Sequence, residues 1–286
     1  MNTRGLRRST GHVRRSPEVR RASAARLTRA RAAAALTAIL AGAAIYGAAS
    51  SPVFGLSRVL VDGASFTPES EVRATLGVPA SANLFELSTV APTERLLALP
   101  AVRDAEVAVS LPGTLRVRLI ERTAILVWAV GERRFLVDRD GLLFADLGEV
   151  DPTRADGLPI LSDARAASVE LTTGSQLEPV ILDAATRLGS LTPAQLGSKA
   201  PRLSVVVSDE HGFVVKARPD GWAAIFGFYT PTLRQPTMVP GQVRLLRSLL
   251  ADREDQIARV VLASDTDGTY TPVKGAETAD SEEASP

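Results

Sequence analysis

The residues that could do chemistry are few. Histidine occurs twice, at His12 and His211. The first lies among arginines and the second in an Asp209-Glu210-His211-Gly212 turn, so no histidine triad or histidine metal cluster can be assembled. Cysteine is absent, which excludes disulfides, thiol catalysis and cysteine metal sites. Asp138-Arg139-Asp140-Gly141 and Asp265-Thr266-Asp267-Gly268 resemble the opening of a calcium loop. Both lack the later oxygen ligands and the closing glutamate, so both are expected to be turns. Asp163, Asp183, Asp209 and Glu210 are read as a solvated acidic surface rather than acid/base pairs. Trp128 and Trp222 sit in alternating apolar runs and are expected in a core or at its rim. No glycine-rich phosphate loop follows a strand. The expectation is a binding protein with no catalytic centre and no cofactor.

The elements that must carry such a protein begin with an uncharged stretch, Ala32 to Ser57, preceded by ten arginines. Residues 1–31 carry a formal charge of +9 and the remainder −8, although the whole chain is near neutral at +1. Ala32 to Ala49 is about long enough to cross a bilayer once. Basic flanks stay on the cytoplasmic side, so residues beyond the anchor are expected outside the cytoplasm. A cleaved signal peptide ending near Ala48-Ala49-Ser50 is the rival, but both the leader and the apolar stretch are long for one. A twin-arginine signal is weaker, because Arg14-Arg15 is followed by Ser-Pro-Glu. The basic tail sets topology in the simplest reading; contact with anionic lipid or nucleic acid is the other.

Past the anchor, Phe54, Leu56, Val59 and Val61 read as a strand ended by Asp62-Gly63. Thr67-Pro68-Glu69-Ser70-Glu71 reads as a helix start with Thr67 as N-cap. It leads into a helix that carries Val72 and Leu76 and stops at Gly77. A second helix is expected from Thr93 to Pro100. Val102, Ala105, Val107 and Val109 lead into Leu111-Pro112-Gly113-Thr114, and Leu115, Val117 and Leu119 alternate with arginines on the return. That is a hairpin with one buried face.

These stretches resemble, in order and spacing, the POTRA domain that follows the anchor in FtsQ/DivIB cell-division proteins. The resemblance rests on Val59-Leu60-Val61-Asp62-Gly63, Asn83-Leu84-Phe85-Glu86-Leu87, Leu99-Pro100-Ala101-Val102-Arg103-Asp104-Ala105, Leu111-Pro112-Gly113-Thr114-Leu115 and Ile120-Glu121-Arg122. It continues through strand-like Ala124–Trp128, Phe135–Val137 and Leu142–Phe144, then Leu158–Leu161 and a helix over Glu178–Leu188. A meander of Leu203–Ser208, Phe213–Ala217 and Trp222–Phe226 follows, then a helix over Val243–Arg253 and a strand over Ile257–Leu262. The expected fold is α+β: a single-pass anchor, a βααββ POTRA domain, and a mixed β-rich domain. The expected divisions are 1–31 basic tail, 32–50 anchor, 54–122 POTRA, 123–274 β domain and 275–286 disordered acidic tail.

The resemblance implies a non-enzymatic scaffold of the division machinery, placed in the cell membrane at the septum with its N-terminus cytoplasmic. Its implied partners are FtsB-like and FtsL-like single-pass proteins, with other septal proteins meeting the POTRA domain and no nucleic acid. It places partner binding at the chain's last strands, at Val261, Leu262, Ser264, Asp265, Gly268, Tyr270, Thr271 and Val273, with Tyr270 the anchor. The physical basis is an edge strand whose free N–H and C=O groups can pair with another chain. A translocation or assembly component bearing POTRA units is the alternative, and an anchored cell-wall enzyme a further one. The chain departs from the family's pattern at Thr123-Ala124, Ser110, the Pro-rich stretch Phe228–Val239 and Ala263-Ser264. The last two departures lie near the expected partner site.

Overall fold

The computed structural model describes residues 17–49 and 51–273. Residues 1–16 of the expected basic tail, and the expected disordered tail 275–286, lie outside the described residues. The chain divides into two compact units. The first draws on the chain up to Arg58, on Pro79–Leu87 and on Val109–Leu115; the second on Val59–Val78, Ser88–Ala108 and everything from Arg116 onward.

The first unit contains α1, Pro17–Ala49. Within it Arg29–Gly47 is long and apolar enough to cross a membrane and has no part buried against protein.

The second unit opens on β1, Arg58–Asp62. The strand starts later than its apolar residues imply, because Pro52–Phe54 winds into a single 3-10 turn. Gly63 follows at φ +82°, and a side chain there would fall 2.0 Å from the Leu119 carbonyl oxygen. Only glycine satisfies both the left-handed backbone and that approach. Helix α2 is Glu69–Leu76 and buries Val72 and Leu76. Thr67 does not cap it: the helix begins two residues on, and no side chain caps its first turn. The Glu121 carboxylate takes the loop's amides instead, accepting from Ser65, Phe66 and Thr67 N–H at 2.6, 2.7 and 2.9 Å. Helix α3, Val90–Leu97, begins three residues earlier than expected. It buries Leu96 and leaves Leu97 exposed. Strands β2, Val102–Ser110, and β3, Thr114–Glu121, run from the second unit into the first at the 109–115 end. Strand β3 alternates buried and exposed residues as its sequence does, and β2 buries Val102, Ala105 and Val107. The sheet order is β1-β3-β2.

The rest of the second unit is one nine-stranded sheet. Its strands are β4 (Ala124–Val130), β5 (Arg133–Asp138), β6 (Leu143–Asp146), β7 (Ile160–Asp163), β8 (Arg202–Ser208), β9 (Gly212–Arg218), β10 (Ala223–Gly227), β11 (Ile257–Leu262) and β12 (Gly268–Pro272). Helices α4 (Pro179–Gly189) and α5 (Pro193–Leu196) interrupt β7 and β8, and α6 (Val239–Leu250) links β10 to β11. The order across the sheet is β12-β11-β10-β9-β8-β7-β4-β5-β6. Pairing is parallel where a helix or long connection intervenes, at β4/β7, β7/β8 and β10/β11, and antiparallel elsewhere.

Strand β4 reads AILVWAV because it is covered on both faces. Leu126 and Trp128 join a core with Ala184 and Leu188 of α4 and Leu246 and Leu250 of α6. Val127 joins a second cluster with Leu136, Phe144 and Ala101, against which Phe66 packs. Phe66 and Phe144 meet edge to face at 5.2 Å. Arg122, at the end of β3, donates to the Pro100 carbonyl at 3.1 Å and to the buried Asp138 carboxylate at 2.5 Å. Asp138 also accepts from Asp140 and Leu142 N–H at 2.9 Å, so the first Asp-x-Asp-Gly motif is a turn.

One acidic residue overturns the solvated-surface reading. Asp163 is buried, taking hydrogen bonds from Trp128 Nε1 at 3.0 Å, Arg165 Nη2 at 2.7 Å and Ser168 Oγ at 2.5 Å. Both tryptophans are core residues; Trp222 donates to Glu254 at 2.9 Å. Helix α6 starts earlier than expected, at Val239, so Pro240-Gly241 occupies its first turn instead of preceding it.

Candidate partner-binding edge

The two edges of the large sheet differ. At β6 the backbone is occupied by the segment 174–177. Leu143 N–H donates to the Ser175 carbonyl at 2.9 Å, Gly174 N–H to the Leu143 carbonyl at 2.7 Å and Leu177 N–H to the Gly141 carbonyl at 2.9 Å. At the other end β12 pairs with β11 on one side, and among the described residues no strand pairs on its other side. An open edge of this kind is what sheet proteins otherwise cover.

Register decides which residues that edge offers. Val260 lies opposite Tyr270, Leu262 opposite Gly268, Val261 opposite Thr269 and Arg259 opposite Thr271. Opposite residues share a face. Tyr270 therefore sits on the face of the buried Val260, which clusters with Leu246 and Leu250 of α6. Its ring is 46 % exposed. Beside it, Leu245 and Leu249 of α6 close over Gly268, whose absent Cβ would lie 3.2 and 3.4 Å from their methyls. The other face presents Val261, 39 % exposed, with Thr269, Thr271 and Arg259.

The residues named from sequence divide accordingly. Tyr270, Thr271, Val261 and Val273 are exposed along the edge. Leu262 is 1 % exposed and holds β11 in the core, so its side chain offers no contact. Ser264 organises the turn: its Oγ accepts from Thr266 N–H at 3.1 Å and Asp267 N–H at 2.9 Å. That settles the second Asp-x-Asp-Gly motif as a turn. Asp265 packs its Cβ against Gly241, where a side chain would fall 2.5 Å away. Leu245 and Leu249 on the Tyr270 face, and Thr269 and Arg259 on the other, flank the same edge and were not among the residues named from sequence. Alternation could have found Thr269; the two leucines needed the helix–edge packing.

The stretch 228–239 is built into this end of the sheet. Arg234 lays its guanidinium across the C-terminal ends of β10 and β11, donating to the Phe226, Leu262 and Ala263 carbonyls at 2.7, 2.5 and 2.5 Å. Gln242 of α6 donates to the Phe226 and Leu262 carbonyls at 3.3 Å and accepts from the buried Tyr229 hydroxyl at 2.8 Å. Burial pushes the Tyr229 phenol well above its ordinary range, so it stays a donor. Parallel strands β10 and β11 end together here, and these side chains donate to carbonyls at both ends.

Among the described residues no group of three or more His, Cys, Asp or Glu could hold a metal. The cavity of about 640 Å³ beside Trp222 is lined by Lys199, Arg218, Asp220, Glu254, Asp255 and Val273; Asp255 pairs with Lys199 at 3.4 Å and Glu254 is hydrogen-bonded. Glu254 accepts from Trp222, Lys199 N–H and Ser198. Burial would raise its carboxyl, but these hydrogen bonds prevail and hold it below the usual carboxylate range.

The strand-helix-helix-strand-strand order of β1, α2, α3, β2 and β3 is that of a POTRA domain. Residues 54–122 match the family model described as POTRA domain, FtsQ-type. Over those residues the chain is similar to FtsQ-type POTRA domains. Relatives named Cell division protein FtsQ include that of Mycobacteroides abscessus, 29 % identical over 144 residues, which are 50 % of this chain and 44 % of the relative. That of Jannaschia sp. is 36 % identical over 97 residues, 34 % of this chain and 31 % of the relative. That of Chloroflexus aurantiacus is 27 % identical over 224 residues, 77 % of this chain and 71 % of the relative. The chain thus spans under half the length of the first two relatives.

Proposed function

We propose that this chain is a non-catalytic, membrane-anchored scaffold of cell division that recruits partners to septal cell-wall synthesis outside the cytoplasm. In this reading α1 stays uncleaved, with its arginine-rich end cytoplasmic. The relatives' printed name supports the division role. The arginine bias supports the topology.

The observation that carries the binding mode is the contrast between the covered edge at β6 and the open edge at β12. A partner strand would pair with β12, and one of its side chains would rest beside Tyr270 against Leu245 and Leu249. Backbone pairing supplies affinity and the flanking pockets supply selectivity. The partners this reading names are FtsB-like and FtsL-like single-pass proteins, with the POTRA domain free for a further septal contact.

Co-purification of tagged full-length protein from dividing cells tests it. Deleting residues 264–286 should abolish recovery of the FtsB-like partner while the protein stays membrane-bound. Deleting 275–286 alone should change nothing. Wild-type recovery after the longer deletion would place the site elsewhere, with the POTRA domain next to be tested.

A further inference from the structure

Three segments of the first unit meet just beyond the anchor helix. Leu56 N–H donates to the Ala82 carbonyl at 3.0 Å, and Leu84 N–H to the Phe54 carbonyl at 2.8 Å. Ser57 N–H and Arg58 N–H both donate to the Gly113 carbonyl, at 2.9 and 3.1 Å, and Ser57 Oγ reaches it at 2.8 Å. A side chain at Gly113 would fall 2.4 Å from Ser57 Oγ, so the hairpin tip sits directly on this strand. The Phe54 and Phe85 rings lie 5.8 Å apart. Loops 79–87 and 109–115 are therefore fixed to chain that has just left α1.

The surface so assembled is apolar. Val53 is 64 % exposed, Phe85 56 % and Leu111 49 %, with Phe54 half-buried beside them. Only Arg58 and Glu86 carry charge in the three segments. Val53 is four residues past Ala49, the end of α1. Four residues reach at most about 14 Å. The polar layer outside a bilayer's hydrocarbon is about 5–7 Å deep on each side.

We propose that Val53, Phe54, Phe85 and Leu111 form an apolar foot that inserts into the headgroup–acyl boundary of the bilayer that α1 spans. The inference rests on reading α1 as a spanning anchor. Covalent connection singles out lipid as the occupant, because these side chains cannot leave the membrane's vicinity. Exposed aromatic and aliphatic side chains favour that layer, and the scarcity of charge removes the main cost of entering it. The foot limits how the first unit tilts on its anchor.

The chain has no cysteine, so single spin labels can be placed without background. Val53→Cys, Phe85→Cys and Leu111→Cys each change an exposed residue. Ile39→Cys in α1 and Asp220→Cys in an exposed turn serve as references. Full-length labelled protein in lipid nanodiscs is measured for accessibility to oxygen and to a water-soluble nickel chelate. Labels at 39, 53, 85 and 111 should favour oxygen several-fold over their ratio at 220. If 39 favours oxygen while 85 and 111 match 220, the foot does not insert. If 39 itself matches 220, α1 does not span and both readings fall. Protection at 85 and 111 that appears only when a partner protein is added would assign the patch to protein, and overturn the proposal.

Discussion

Asp163 combines a buried charge with a full set of partners. Burial alone would raise its carboxyl; the hydrogen bonds from Arg165 and Ser168 and the Arg165 charge outweigh it and hold it below the usual carboxylate range. A depressed carboxylate contributes stability that is present above the unfolded value, about 3.9, and is lost as pH falls through the folded value. Asp163→Asn should therefore destabilise the protein by about 1–3 kcal/mol at pH 7, the cost of a strained buried polar group. The gap between variant and wild type should narrow near pH 3. Unfolding followed by the emission of the two buried tryptophans, Trp128 and Trp222, reads both; an equal gap at both values would deny the ion its role. Val117 is 2 % exposed in the middle of β3. Val117→Asp should cost about 3–5 kcal/mol, as an unpaired buried charge does. An unchanged melting temperature would mean the β3 alternation faces the other way. Val117 was legible from its neighbours Arg116 and Arg118. Asp163 was not, because Trp128, which buries and hydrogen-bonds it, lies 35 residues away on another strand.

The strands were readable wherever one face is wet, as in β2 and β3, or where a long apolar run marks two covered faces, as in β4. Helix starts were not. The loop leading into α2 is held by Glu121, more than fifty residues away, and α6 takes Pro240 into its first turn because a proline there gives up no needed donor. The element least foreseen is the stretch 228–239, whose composition reads as a loop while Arg234 and Tyr229 make it part of the sheet. Arg234→Ala removes three donors to carbonyls at the ends of β10 and β11. Amides of residues 262–271 should then exchange about 10–100 times faster while β8 and β9 stay protected, a local opening rather than global unfolding. Exchange spread evenly across the sheet would show Arg234 to be a global stabiliser instead.

Across the whole chain, a membrane-length helix is followed by a small α/β unit and a large sheet covered at one edge and open, among the described residues, at the other. The membrane-length helix and the POTRA domain were legible because a long uncharged run and an ordered series of short motifs survive without contacts. For the proposed binding edge, exposure along β12 depends on the register with β11, which short-range sequence does not show, and Leu262 faces inward for that reason. An uncleaved anchor predicts that mass spectrometry of the membrane-bound protein recovers the peptide spanning Ala48–Arg58. A mature N-terminus at Ser50 or Ser51 would instead make the stretch a signal peptide.

The open edge at β12 is the centre of the account, and photocrosslinking in dividing cells addresses it directly. A benzophenone amino acid replaces Tyr270 on the open edge, Thr173 beside the covered edge, or the exposed Asp220 as a surface control. The account predicts an adduct with a small single-pass partner from position 270 and none from 173 or 220. An adduct from 173 with none from 270 would contradict it.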